Sequence, residues 1–84
     1  MAVVILTSEA RRQAEHLPMP IFGRITKLVE RLRDWPAVSG AKPLSGRLTG
    51  RFRLRTGDYR LQFRVEGEKI IVEKIGHRER FYED

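Results

Sequence analysis

Six arginines lie between Arg47 and Arg64 against a single acid, Asp58, and no lysine interrupts the set. A guanidinium presents a planar fork of donors that matches phosphate oxygens and stays charged at any working pH. Arg51, Arg53, Arg55, Arg60 and Arg64 alternate with Phe52, Leu54, Tyr59, Leu61 and Phe63, so basic and apolar side chains separate with a period of two. That pattern describes a β-hairpin with an apolar face and an arginine face, and the arginine face is a phosphate-binding surface suited to RNA. A face kept only for solubility would interleave acids among the arginines.

A second group closes the chain. Gly76-His77-Arg78-Glu79-Arg80-Phe81-Tyr82 gathers an imidazole, two guanidiniums and a phenol at the end of the last predicted strand. Beside the hairpin, these groups would add proton-transfer chemistry to a phosphate site. His16 stands at the end of a predicted helix, where partial positive charge is favourable, and its expected role is structural.

The strands must position these groups. A two-residue Thr56-Gly57 turn sets Arg53 opposite Arg60, Leu54 opposite Tyr59 and Arg51 opposite Gln62. Only an even loop keeps each face uniform. A Glu66-Gly67 turn then leads into a third strand from Lys69 to His77, with Phe63 opposite Ile70, Leu61 opposite Val72 and Arg60 opposite Glu73. Arg60 would be steadied by Glu73. On plain alternation Ile71 and Ile75 fall on the basic face, where periodicity gives them no role.

Upstream, Val3-Val4-Ile5-Leu6 predicts a short strand, and Thr7-Ser8 followed by Glu9 predicts a helix start. Ala10, Ala14 and Leu17 give that helix a small-residue face, and Pro18 and Pro20 end it. Pro20 then opens a second helix whose stripe is Ile21, Phe22, Ile25, Leu28, Val29 and Leu32. Arg24, Lys27, Glu30, Arg31 and Arg33 make its solvated face. Trp35-Pro36 stops the helix and offers Trp35 as a lid on the core. Pro36 to Gly46 has the composition of a connection. The expected fold is α+β: an N-terminal strand, a helical hairpin, then a three-stranded antiparallel meander, with both helices on the apolar sheet face.

The 84 residues suffice for one domain, 1–84, with one modest core. Seventeen lysines and arginines against eleven acids give a formal charge of +6, which favours a polyanion or an acidic protein as partner. There is no cysteine, which excludes disulfides and thiolate metal sites. The two histidines are far apart, and neither a metal nor any other cofactor is expected. The Ala2 to Leu6 run is too short for a signal-peptide core, so the expectation is a soluble cytoplasmic protein without membrane contact.

With these residues in place, the chain resembles the RelE/ParE superfamily of toxins from type II toxin-antitoxin modules. The likeness is carried by Lys42-Pro43-Leu44 with Gly46, Leu48 and Gly50, by the hairpin Arg53-Leu54-Arg55-Thr56-Gly57-Asp58-Tyr59-Arg60, and by Gly76-His77-Arg78 followed by Tyr82. The resemblance implies a RelE-like fold and one of two activities: ribosome-dependent cleavage of messenger RNA in the RelE branch, favoured here, or gyrase poisoning in the ParE branch. It also implies a cognate antitoxin, the ribosome and messenger RNA as partners, and a higher-order toxin-antitoxin complex.

In the cleaving branch, the family's working positions fall on Arg51, Arg53, Arg60, Arg78 and Tyr82. The reaction so implied is attack of a 2′-hydroxyl on the adjacent phosphorus without a metal. Arg60, Arg53 and Arg78 are the candidates for neutralising the growing phosphorane charge, and His77 and Tyr82 are those for moving protons. Arg47, Arg51, Arg55, Arg64 and Arg80 complete the set as RNA-binding residues.

Overall fold

A computed structural model describes residues 1–79. The chain runs β1 (Val3–Leu6), α1 (Ser8–Glu15), α2 (Met19–Arg31), β2 (Lys42–Pro43), β3 (Arg51–Thr56), β4 (Tyr59–Glu66) and β5 (Lys69–His77), with short 3-10 turns at Leu32–Asp34 and Gly46–Leu48. Both helices pack against one five-stranded sheet of order β1-β5-β4-β3-β2. The β-branched run of β1 pairs in parallel with β5, Val3 with Lys69 through Leu6 with Val72. Thr7 caps α1 by accepting the Ala10 amide at 3.1 Å. Ala10 and Ala14 are buried, and their small side chains let α1 lie close to β5.

The predicted stripe of α2 reaches the core through Ile25, Leu28 and Leu32, where it meets Leu54, Leu61, Phe63, Ile70 and Val72. Phe22 does not join it; that ring is 42% exposed. Trp35 closes the core as expected, edge-on to Phe52 at 4.8 Å and to Phe63 at 5.2 Å, while the two phenylalanines stack at 5.5 Å. The Lys42-Pro43 connection adds an outer strand beside β3. Proline is tolerated there because an edge position needs no N–H from it.

Three register expectations are corrected. The hairpin turn is Gly57-Asp58 and not Thr56-Gly57, so Thr56 pairs with Tyr59, Arg55 with Arg60, Leu54 with Leu61, Arg53 with Gln62 and Arg51 with Arg64. Gly57 takes φ +60 at the first loop position while Asp58 keeps a negative φ, the pattern of a type II′ turn. The next turn moves in the same way to Gly67-Glu68, with Gly67 again at φ +60, and Glu66 pairs with Lys69. Each loop still holds two residues, so the faces keep their predicted composition.

The third correction is a β-bulge. Phe63 pairs with Val72, yet Gln62 pairs with Lys74, so Glu73 is an extra residue in β5. Past it the alternation is re-phased: Leu61 pairs with Ile75, which is buried in the core at 2% exposure. Arg60 consequently faces Gly76 and not Glu73. The Ile75 amide donates at 2.7 Å to Oε1 of Gln13 on α1, beyond the point where β1 ends. Ile71 stays on the basic side, beside Ile5 of β1.

Candidate functional site: the arginine face

The side chains opposite the helices form three rows across the sheet. At the hairpin end stand Arg55, Arg60 and Gly76; next come Lys42, Arg53, Gln62 and Lys74; then Arg51, Arg64 and Ile71. The face owes its uniformity to the even loops, and the places of Lys74 and Gly76 in its rows to the bulge, which turns Glu73 and Lys74 to the same side.

The rows differ in how their charge is used. Glu73 Oε1 accepts from Arg51 Nε at 2.7 Å and from Gln62 Nε2 at 3.3 Å, and its Oε2 accepts from Arg64 Nη1 at 2.6 Å. Arg64 Nε donates to Glu66 at 2.7 Å. Burial disfavours the Glu73 charge, but the bonds from Arg51, Gln62 and Arg64 outweigh it and hold the carboxyl below the ordinary glutamate range. The Arg64 guanidinium is raised by its bond to Glu66 and then by that to Glu73. Arg51 and Arg64 are therefore committed to a carboxylate of their own chain.

Toward the hairpin the guanidiniums are open. Among the described residues the side chains of Arg47, Arg53, Arg55 and Arg60 make no hydrogen bond or ion pair, and the Nε atoms of Arg53 and Arg60 are buried without a partner. Like charges face each other at Arg55 and Arg60, and not at Arg53 and Arg60 as the first register had it. On the other flank Arg60 pairs with Gly76, which brings no side chain of its own. Arg78 is brought to the same end of the sheet, because its amide donates to the Asp58 carbonyl at 2.7 Å. Its Nε lies 3.9 Å from the Asp58 carboxylate, a loose and exposed pair.

Arg47 also reaches this face. The Gly46–Leu48 turn walls a hollow of about 390 Å³ with Arg51, Gln62, Glu73 and Lys74 at its sides. His77 does not reach it. It pairs with Tyr59 and sets its ring edge-on to that phenol at 5.1 Å, on the helix side of the sheet. Its Nδ1 accepts the Glu79 amide at 3.1 Å, so the neutral ring carries its proton on Nε2. His16 has a structural bond, Nδ1 to the Arg12 carbonyl at 2.7 Å. Arg80 and Tyr82 lie outside the described residues.

Alternation located the arginine face; it assigned Glu73 to Arg60, where the bulge gives it to Arg51, Gln62 and Arg64, and it missed Lys42, whose place depends on β2. The only sequence hint of the bulge was Ile75, an apolar residue out of phase. Chemically, the open half of the face offers several forked donors at fixed spacing to a chain of phosphates.

Residues 4–82 match the family model for the ParE toxin of the type II toxin-antitoxin system parDE. The chain is 30% identical over 81 residues to toxin RelG of Mycobacterium tuberculosis, spanning 94% of this chain and 93% of that toxin. Its fold superposes on a chain of the M. tuberculosis toxin-antitoxin complex RelBE2 with a TM-score of 0.80 and 28% identity, covering 92% of this chain and 98% of the other. The isolated E. coli RelE toxin has the same fold, with a TM-score of 0.80 over 98% of this chain and 89% of RelE at 19% identity. The strand order, the arginine hairpin and these likenesses agree, and the chain belongs to the RelE/ParE superfamily of toxins from type II toxin-antitoxin modules.

Proposed function

We propose that this toxin is a ribosome-dependent endoribonuclease that cuts messenger RNA and so stops translation. The observation that carries the proposal is the Arg55–Arg60–Gly76 row: two guanidiniums on adjacent strands, unpaired among the described residues, with a glycine on the flank and Arg78 fixed at the same end. In this reading a 2′-hydroxyl attacks the neighbouring phosphorus, and Arg60, Arg53 and Arg78 neutralise the charge that grows on the phosphorane oxygens. Arg47 and Arg55 hold flanking phosphates. Among the described residues proton transfer is the weak part of the equipment: arginine does not serve as a base, and the His77 ring is turned to the other side of the sheet, which leaves Tyr82, outside the described residues, as the remaining candidate. An enzyme so equipped relies on the ribosome to bend and align its substrate. The reaction proposed draws on no metal or organic cofactor.

The cognate partner in this proposal is an antitoxin with an acidic or amphipathic segment that covers the basic face. The M. tuberculosis relative is described as a toxin-antitoxin complex. Charge complementarity with a +6 chain would speed encounter and make the complex loosen with salt. The matched family model is named for ParE, so the rival activity is gyrase poisoning. In vitro translation followed by primer extension on the message separates the two. Ribosome-dependent cuts support the nuclease; inhibition of supercoiling without cuts overturns it.

A further inference from the structure

One pocket is walled by cations from three elements and, among the described residues, by no acid. Arg31 of α2, Lys42 of β2, and Arg53 and Arg55 of β3 line a hollow of about 250 Å³, closed on one side by Ser39 and Gly40. None of the acids among the described residues lines it. Collecting four positive side chains costs free energy through mutual repulsion unless an anion is there to hold them.

The local geometry is built and not incidental. Arg31 Nη2 donates to the Ser39 carbonyl at 2.6 Å and to the Ser39 hydroxyl at 3.3 Å, tying the loop to α2. Since the Ser39 oxygen accepts from Arg31, its own O–H is left to donate into the pocket. Gly40 turns the loop at φ +86, a conformation that favours glycine. Strand β2 begins at Lys42, opposite Arg53, so the edge of β3 beside Arg55 has no strand against it. The Arg53 Nε is buried and has no partner among the described residues.

The pocket is also in line with the open row. Arg55 lines it and at the same time stands opposite Arg60 on the neighbouring strand, about 5 Å away by strand spacing. A strand whose reacting phosphate sits at Arg60 thus runs toward the pocket over Arg55.

We propose that this pocket binds a backbone phosphate of single-stranded RNA next to the one that reacts, with Lys42, Arg31 and the Ser39 hydroxyl as contacts that the arginine rows alone do not supply. The inference rests on the ribonuclease reading above and names a second subsite for its substrate.

The test uses the whole chain, with inorganic phosphate and a single-stranded ribo-oligonucleotide as separate probes and amide chemical shifts as the readout. Phosphate at constant ionic strength is expected to give saturable shifts at Ser39, Gly40 and Arg55, and the oligonucleotide to move the same amides. Lys42 is exposed on an edge strand, so Lys42→Glu leaves the fold intact and should weaken both titrations at least tenfold. In ribosome-dependent cleavage the same variant should raise KM and leave kcat unchanged, the signature of a contact made equally in ground and transition states. Lys42→Ala should lower the salt slope of oligonucleotide binding by about 0.7, one phosphate contact.

Shifts that do not saturate, or that survive Lys42→Glu, overturn the pocket. Phosphate binding there without movement by RNA overturns the RNA assignment. RNA reaching the pocket in a protein that cuts no message upholds the pocket and removes the ribonuclease reading instead.

Discussion

Arg51 and Arg64 face each other across β3 and β4 and close on one carboxylate, Glu73, at 2.7 and 2.6 Å. Two like charges that would repel are converted into a clamp that joins three strands. The same clamp divides the arginine face into a half held by its own chain and a half left for a ligand.

Glu73→Gln should destabilise the fold by about 1 kcal/mol, since both arginines are a third exposed and solvent screens the pairs. For a chain this size that lowers Tm by roughly 4–8 °C, read by circular dichroism. The pH dependence has a definite sign. The folded carboxyl sits below its unfolded value, so its contribution is present above about pH 4.3 and is lost as pH falls through the folded pKa. The Tm gap between wild type and Glu73→Gln should therefore close on acidification; a gap constant with pH would show that Glu73 acts through packing alone.

Arg60→Ala should leave the folding stability within about 0.5 kcal/mol of wild type, because the side chain makes no bond among the described residues and faces Arg55. Message cleavage should fall by about a hundredfold or more while ribosome co-sedimentation changes far less. Arg60→Lys should recover part of the rate, a point charge being a poor copy of the fork. Undiminished cleavage by folded Arg60→Ala would remove the proposed site.

Gln13→Ala should cost about 1–2 kcal/mol, because it strands the buried amide of Ile75 just past the bulge. Hydrogen exchange at that amide should quicken more than at Ile70, whose strand segment is flanked by β1. Equal protection at both sites in the variant would count against Gln13 as the clasp of that edge.

Trp35→Ala should cost about 3–5 kcal/mol by opening the cluster with Phe52 and Phe63, a large share of the stability of a small domain. A chemical-denaturation midpoint measured against wild type checks this. Trp35→Phe should restore most of the loss.

How much of this was legible in the sequence can be told from particular residues. Phe52, Leu54, Leu61 and Phe63 announced their face because parity survives any even loop, and the core confirms them. The register did not follow, since Thr56-Gly57 and Gly57-Asp58 are both even loops. Glycine at the first loop position was the available signal, and it recurs at Gly67. The parallel seat of β1 and the short β2 depend on long-range pairing, which local pattern does not encode. The open arginines were readable by type and spacing; which of them are already spoken for depended on a single bulge.

That bulge makes β5 one residue longer than its pleat requires. Take Glu73 out, and Val72 followed by Lys74 and Ile75 alternates inward, outward, inward without a break, with every remaining side chain on its present side. Glu73 is thus a spare position in the ladder, where insertion, deletion or exchange changes how much positive charge the face displays without asking the core to be redrawn. A lineage carrying this scaffold can adjust its hold on a polyanion at one codon.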